Sequence, residues 1–386
     1  MDLKNIRNSL IVGLAQKACS VREIQRLLQY YINVNLSVRQ IQRILKHNNL
    51  NKRPREESSL HSIALVILEE LKGPGSLLGY RAMCNRLRNQ HQLTVKRSTV
   101  MALLASLDPE GTAQRKIRRL KRRIYRNKGP NFLWHCDGYD KLKPYGLPIH
   151  GCIDGYSRKI LWLNVSKSNN DPSQVAWYYM NAVQQLSGCP RFLRTDLGTE
   201  NSTIAFLQPL MQHQLNISGH IYGRSTMNQR IESFWSLLRK QYSEWWINFF
   251  KEITMQGCFN TSYNYHIDTA RYALAPLIQK QLDTFKSEWN LHYVRKPSMA
   301  EAPGGIPNVL YDFPQLKGVD NYACSIPDQT IRSLKDQFTT VPSIVNENYK
   351  NLADALVRQY HLPEPLNLTN ALELFFSLLE LFEQIM

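Results

Sequence analysis

The stretch that decides the fold is FLWHCDGYDKLKPYGLPIHGCIDGYSRKILWLNVS, which spans residues 132–166. It contains three short apolar runs, at 132–137, 147–154 and 159–166, and two turn-rich segments separate them. Runs of this length with β-branched and aromatic residues are typical of strands. Because the connections are short, the three strands are predicted to pair as an antiparallel meander.

Beyond this stretch, helical and strand patterns alternate. The predicted elements are a helix from Asp171 to Gly188, a strand at 191–196, a helix at 201–214 that Pro209 interrupts, a strand at 217–223 and a long amphipathic helix at 231–251. Three antiparallel strands followed by alternating helices and parallel strands predict an α/β fold, namely a ribonuclease H-like mixed sheet flanked by helices.

Three acids fall at the ends of these predicted elements. Asp137 closes the first strand, Asp196 closes the fourth, and Glu232 lies in the first turn of the long helix. Between Asp196 and Glu232 there are 35 residues. Because strand ends that border a helix start can meet in one cleft, the three carboxylates are predicted to converge.

Three carboxylates on rigid elements suit chemistry on phosphodiesters. Two Mg²⁺ ions can activate an attacking oxygen and stabilise a leaving oxygen, and Mg²⁺ prefers hard oxygen ligands. We expect Asp137 to bridge both ions and Asp196 and Glu232 to hold one ion each, with Mn²⁺ as a substitute and no small-molecule cofactor. Carboxylates this close repel one another, so metal binding is also expected to stabilise the fold.

The first third of the chain has the pattern of an all-α helix-turn-helix unit. Ser20 and Glu23 form a capping box ahead of one amphipathic helix, and a second helix follows after a turn. The second helix of such a unit enters the major groove of DNA, and Arg39, Gln40 and Arg43 on its polar face are expected to lie nearest the bases. An ordinary three-helix packing module would show the same pattern.

A second helical block repeats this layout and ends in a strongly basic segment. Residues 1–130 carry a net charge of +18 and the remaining residues −1, and nine of the 15 residues at 114–128 are Lys or Arg. We expect these side chains to neutralise phosphates of double-stranded DNA and to make binding salt-sensitive. The four central arginines are Arg118, Arg119, Arg122 and Arg123. The segment could double as a nuclear-import signal, which predicts a nuclear protein, or it could be a solvated helix without a partner.

Four segments resemble motifs of a known family. They are WHCDGYDKL (134–142), IHGCIDGYSRKI (149–160), LRTDLGTEN (193–201) and MNQRIESFW (227–235). Together they resemble the retroviral integrase-type catalytic core, within the superfamily of integrases and transposases that use two aspartates and a glutamate. The closest resemblance is to animal integrase core domain proteins derived from mobile elements.

The resemblance implies that Asp137, Asp196 and Glu232 are the catalytic, metal-binding acids. Arg239 and Lys240, seven and eight residues after Glu232, are expected to grip DNA phosphate from nearly the same helix face. The chain departs from the family pattern at Gln229, where many relatives have glycine, so the loop ahead of Glu232 is expected to be stiffer. Neither a zinc-binding amino-terminal domain nor a carboxyl-terminal β-barrel or chromodomain is recognisable, which leaves DNA binding to the helix-turn-helix units.

Several residues have a second interpretation. Asp154 is the alternative to Asp137, although Asp-Gly is typical of a turn. His135 shares the strand face of Asp137 and is expected to be a packed histidine rather than a ligand. Arg230 either contacts DNA or is solvated. Trp235 is expected to belong to the core rather than to stack on a base.

The chain is predicted to comprise four parts. They are a helix-turn-helix unit at 1–53, a second helical unit with the basic segment at 60–128, the catalytic core at 130–295, and a linker with C-terminal helices at 296–386. The Pro/Gly-rich stretch 301–315 is predicted to be a loop or linker, and the amphipathic last helix either packs on the core or joins another subunit. No apolar run is long enough to cross a membrane.

These patterns predict a Mg-dependent integrase or transposase for DNA integration. Water would cut a DNA end, and the freed 3′ hydroxyl would then attack target DNA. Because strand transfer joins two DNA ends, a homo-oligomer is expected. The alternatives are a domesticated, sequence-specific DNA-binding protein with a catalytically idle core, and a ribonuclease H proper that cuts RNA in a hybrid.

Overall fold

The computed structural model describes residues 3–17, 19–48, 50, 56–114, 127–213, 219–223, 227–296 and 303–385. The basic side chains of Arg118, Arg119, Arg122 and Arg123 lie outside these ranges. Within the ranges, no helix combines the length and the apolar character that crossing a lipid bilayer requires.

The described part of the chain ahead of the first strand is entirely helical. Its α-helices are α1 (Leu3–Gln16), α2 (Val21–Ile32), α3 (Val38–His47), α4 (Leu60–Leu71), α5 (Tyr80–Asn89), α6 (Arg97–Leu107) and α7 (Pro109–Gln114). The predicted capping box of Ser20 and Glu23 is present at α2, and Ser37 and Gln40 form another at α3. The helices α1–α3 enclose one apolar core and α4–α6 enclose a second, which we call the first and second helical units.

Five strands form the central sheet, in the order β3-β2-β1-β5-β6. The strands of this sheet and of a separate two-stranded ribbon are β1 (Leu133–Tyr139), β2 (Ile149–Asp154), β3 (Ile160–Val165), β4 (Gly188–Cys189), β5 (Phe192–Thr195), β6 (His220–Tyr222) and β7 (Cys324–Ser325). The first three strands pair antiparallel, whereas β5 runs parallel to β1 and β6 parallel to β5. The predicted meander and the ribonuclease H-like mixed sheet are therefore confirmed.

Helices cover both faces of this sheet. The remaining helices are α8 (Pro172–Leu186), α9 (Ser202–Met211), α10 (Gln229–Leu238), α11 (Glu244–Met255), α12 (Asn264–Leu291), α13 (Pro307–Asp312), α14 (Asp328–Phe338), α15 (Glu347–Tyr360) and α16 (Leu368–Ile385). On one face, Trp134 and Cys136 of β1 pack with residues of α8 and α9. On the other face, apolar residues of β2 and β3 pack with α10, α11 and α12. Because neighbouring side chains of a strand point to opposite faces, His135 and Asp137 face the α10 layer.

The predicted long helix at 231–251 contains an irregularity. A π-helical segment at Arg239–Ser243 separates α10 from α11. Its Ser243 hydroxyl is hydrogen-bonded to the hydroxyl of Tyr139 on β1. The predicted interruption at Pro209 is the C-terminal end of α9 itself, since that helix ends two residues later at Met211.

The prediction of a linker after residue 295 is wrong for the described residues 306–316. Pro307 starts α13, because its fixed backbone angle suits the first turn of a helix. Val309 and Phe313 are buried in the core of the first helical unit. Asp312 pairs with Lys17 of that region at 3.2 Å and with Lys159 beside β3 at 2.9 Å. This segment therefore attaches the first helical unit to the sheet.

The C-terminal helix folds back on the same chain. Apolar residues of α16, among them Leu374, Phe375 and Phe382, pack into the core layer that contains α12. Of the two predicted possibilities for this helix, packing on the core is the one observed.

Candidate active site

Asp137 lies near the C-terminal end of β1 and is held from the helix layer. The indole Nε1 of Trp235 on α10 donates a hydrogen bond of 2.9 Å to its Oδ2. In the β1–β2 register, Gly151 lies directly opposite Asp137. Asp137 therefore lies on β1 beside α10, the helix that carries Glu232.

Asp196 directly follows β5, the strand beside β1. Its Oδ1 accepts hydrogen bonds from the backbone N–H of Gly198 at 3.2 Å and from Nδ2 of Asn201 at 2.9 Å. Asn201 is 1% exposed, and the same Nδ2 also donates to Glu200 at 3.1 Å. Glu200 is thus a fourth acid beside the predicted three.

Glu232 lies in the first turn of α10, and its backbone N–H donates to the carbonyl of Asn228 at 3.2 Å. Asn228 is 1% exposed and ties this helix start to β1 through two hydrogen bonds. Its Oδ1 lies 2.7 Å from Nδ1 of His135, and its Nδ2 donates to the carbonyl of Cys136 at 2.9 Å. These hydrogen bonds therefore join β1, which carries Asp137, to the start of α10, which carries Glu232.

Asp196 lies close enough to the other two acids for its charge to act on their ionisation. Burial, together with repulsion from Glu232 and Asp196, raises the pKa of Asp137 to about 7, although the hydrogen bond from Trp235 acts in the opposite direction. Burial and the charge of Asp196 also raise the pKa of Glu232. Burial and the charges of Asp196 and Asp140 raise the pKa of Glu200. Negative charge is thus concentrated at this end of the sheet.

The ion pairs between described residues include none of the three acids. In the same part of the chain, no group of three or more His, Cys, Asp or Glu side chains is arranged so as to hold a metal ion. The donor set nevertheless fits Mg²⁺, because it consists of hard carboxylate oxygens whose mutual repulsion a cation would relieve. Metal binding by the triad stays a prediction.

The residues with two interpretations have defined surroundings. Asp154 is fully buried and accepts hydrogen bonds from the backbone of Asn131 and from the backbone and hydroxyl of Ser157, as expected of a turn residue. His135 is fully buried, and burial lowers its pKa to about 3, as expected of a packed histidine. Nε of Arg230 donates to the carbonyl of Gly155 at 3.0 Å, so this guanidinium is anchored to the same turn.

The predicted DNA contacts outside the triad differ in their surroundings. Arg39 and Arg43 are exposed on α3. Gln40 is also exposed, but its Oε1 accepts a hydrogen bond of 2.8 Å from the backbone of Ser37, so it serves as a helix cap. Arg239 is ion-paired with Glu244 of the next turn.

The basic side chain after Arg239 has a different environment. Lys240 is exposed in the π-helical segment. It belongs to none of the ion pairs among the described residues. Of the two predicted phosphate contacts after Glu232, Lys240 is therefore the one that has no ion pair among the described residues.

The strand order and the places of the three acids define the class of protein. A mixed sheet of order β3-β2-β1-β5-β6, with acids on β1, after β5 and at the start of α10, is a ribonuclease H-like core. A family model described as "Integrase core domain" matches residues 124–306. This match supports a retroviral integrase-type catalytic core over these residues. No curated protein matches the chain.

Proposed function

We propose that this protein cuts DNA ends and joins the freed 3′ ends to target DNA in a reaction that depends on Mg²⁺ or Mn²⁺. The observation that supports this most strongly is that the three acids lie close together: burial, with the added repulsion from Glu232 and Asp196, raises the pKa of Asp137 to about 7. Three neighbouring carboxylates repel one another and would destabilise a purely structural site, whereas a bound dication stabilises all three.

The chain's own residues would have distinct tasks in this reaction. Asp137, Asp196 and Glu232 would hold two divalent ions, which would supply an activated attacking oxygen and a stabilised leaving oxygen. Asn201 orients the carboxylate of Asp196 through its 2.9 Å hydrogen bond. Asn228 fixes the first turn of α10 against β1, and therefore the place from which Glu232 reaches into the site.

The DNA would be held by parts of the chain outside the triad. The exposed Arg39 and Arg43 on α3 favour a helix-turn-helix role for the first helical unit, with α3 in the major groove. The capping bond of Gln40 makes that side chain a weaker candidate for base contact. Lys240 would bind phosphate directly, whereas Arg239 would first have to leave Glu244.

The oligomeric state, the role of the basic segment and the cellular location are proposed on the basis of this function. A reaction on two DNA ends favours a symmetric homo-oligomer. The basic segment at 114–128 favours phosphate binding and a nuclear location. The four-part division proposed from the sequence is kept, with one revision: residues 306–316 belong structurally to the first helical unit. An origin in animal mobile elements stays a prediction.

A cleavage assay tests the proposal. Labelled duplexes carrying candidate element ends would be incubated with the full-length protein in Mg²⁺, in Mn²⁺ or in chelator, with Glu232→Gln beside the wild type. Glu244→Gln is the matched control, because this glutamate lies twelve residues further along the same helical stretch and pairs only with Arg239 among the described residues.

Metal-dependent 3′-hydroxyl products from the wild type and from Glu244→Gln, and their loss in Glu232→Gln, would support the proposal. Sequence-specific DNA binding without any product in either metal would contradict it and favour a DNA-binding protein with an idle core. Cleavage confined to the RNA strand of a hybrid would favour a ribonuclease H instead.

A further inference from the structure

A tryptophan links the helix of the third acid to the carboxylate of the first. Trp235 lies three residues after Glu232 on α10 and is only 5% exposed. Its Nε1 donates to Oδ2 of Asp137 at 2.9 Å. The motif around Glu232 predicts a core role for this side chain, and the structure adds a polar contact to it.

The indole occupies a slot that the sheet leaves open for it. A Cβ atom added at Gly151, opposite Asp137, would lie 2.7 Å from Cη2 of Trp235. The ring of Tyr139 lies on the same strand face as Asp137, with its centroid 5.2 Å from that of the indole. Any side chain larger than hydrogen at 151 would therefore force the ring to move. This explains why a glycine stands in the middle of β2, where glycine weakens a strand.

A hydrogen bond at this place constrains a group that would otherwise rotate. The terminal torsion of an aspartate is broad, so a lone carboxylate samples many orientations. Because Nε1 can only donate, and because the ring packs against Gly151 and Tyr139, the indole offers Oδ2 of Asp137 a hydrogen bond from one fixed direction. Partners that fix the orientation of a metal ligand typically change metal affinity or activity 10–100-fold when they are removed.

We propose that Trp235 is a positioning residue, which holds the carboxylate of Asp137 in the orientation that receives the divalent ion, and that Gly151 is required because it admits the indole. The inference rests on the proposed function, since it concerns the same site. Trp235 touches neither the DNA nor the reacting atoms in this role and acts only through Asp137.

The first test compares two buried tryptophans whose indole N–H groups donate to different acceptors. Trp235→Phe keeps an aromatic ring and removes the N–H. Trp162→Phe is the matched control, because Trp162 is also 5% exposed and its Nε1 donates to Nδ1 of His150 at 3.0 Å on the opposite face of the sheet. Mn²⁺ affinity of the full-length protein would be measured by titration calorimetry. We expect about 10–100-fold weaker binding for Trp235→Phe and less than about 3-fold for the control.

The second test retains the indole N–H but moves it away from its position. In Gly151→Ala we expect a loss of Mn²⁺ affinity similar to that of Trp235→Phe. The ¹H–¹⁵N signal of the Trp235 indole, assigned by its absence in Trp235→Phe, should shift in Gly151→Ala and in Asp137→Asn. In the wild type it should also shift when Mg²⁺ is added, a readout that needs no catalysis.

The outcomes separate this inference from the proposed function. Mn²⁺ binding that is unchanged in Trp235→Phe, or equally weakened in Trp162→Phe, would overturn the positioning role, and DNA cleavage could still stand. Binding that depends on Trp235 in a protein that never cuts DNA would support the positioning role and remove the proposed function.

Discussion

The imidazole of His135 and the side chain of Asn228 form one hydrogen-bonded pair, with 2.7 Å between Nδ1 and Oδ1. His135 lies two residues before Asp137 on β1, and Asn228 lies four residues before Glu232. Both side chains are buried, so the pair is shielded from water. It connects β1, the strand of Asp137, to the start of α10, the helix of Glu232.

Asn228→Ala should therefore loosen the start of α10. It removes a hydrogen-bond partner of His135 Nδ1 and of the Cys136 carbonyl, and a buried group that is left unsatisfied costs about 1–3 kcal/mol. We expect that loss in the free energy of unfolding from urea titration, together with slower DNA cleavage. The exposed Asn170, which accepts one hydrogen bond from Lys143, provides the control Asn170→Ala. A loss no larger than that of the control would refute the structural role of Asn228.

Two neutral buried histidines should each contribute a fall in the unfolding free energy in acid. Burial lowers the pKa of His150 to about 4 and that of His135 to about 3, from the ordinary histidine value of 6.5. Since the folded pKa is depressed, this stability is complete above pH 6.5 and decreases as the pH falls towards 4. Each histidine should remove about 2 kcal/mol at pH 5.

The variant His150→Asn isolates one of these contributions. It retains an acceptor for the indole N–H of Trp162 but does not titrate. Urea titrations at pH 7.5 and pH 5.0 should show a fall that is about 2 kcal/mol smaller in the variant than in the wild type. Equal falls in the two proteins would mean that His150 does not carry the acid sensitivity.

Asp137 has the opposite pH dependence. Its pKa is raised to about 7 from 3.8, so folding disfavours the ionised form. The penalty is absent below pH 3.8 and complete above pH 7. In chelator at pH 8, Asp137→Asn should therefore be more stable than the wild type, by on the order of 4 kcal/mol, with the gain shrinking towards pH 4. Thermal unfolding at both pH values measures this, and a variant less stable at pH 8 would be inconsistent with the repulsion.

Arg39→Ala should weaken recognition of a specific DNA end without affecting the chemistry. Arg39 is exposed on α3, and one good base contact contributes about 1–3 kcal/mol of discrimination. Fluorescence anisotropy with specific and scrambled duplexes would measure the ratio of the two affinities. Arg26→Ala on the neighbouring helix α2 removes the same charge and should leave the ratio unchanged. An unaltered ratio in Arg39→Ala would contradict the placement of α3 in the major groove.

Local patterns were sufficient to predict the sheet, the capping of α2 and the placement of the three acids on their elements. Alternating apolar runs specify strands, and Ser20 with Glu23 specifies a helix start, because both signals lie within a few residues. The parallel pairing of β5 with β1 also follows from the alternation of helices and strands.

The contacts that shape the site depend on residues far apart in sequence, and the sequence pattern did not reveal them. His135 and Asn228 are 93 positions apart, and Asp137 and Trp235 are 98 apart. Histidine, asparagine and tryptophan are ordinary core residues, so nothing local marks their pairing. The Pro/Gly-rich stretch around Pro307 has the composition of a linker, and composition alone does not reveal a short helix that a distant unit buries.

The most direct measurement of the central claim is Mn²⁺ binding, followed by electron paramagnetic resonance of the free ion. Full-length wild type should show saturable binding. Asp137→Asn, Asp196→Asn and Glu232→Gln should each weaken it by at least about 10-fold, while Glu200→Gln, beside Asp196 but outside the triad, should retain it. A wild type without saturable binding, or a triad variant that binds Mn²⁺ as tightly as the wild type, would contradict the account.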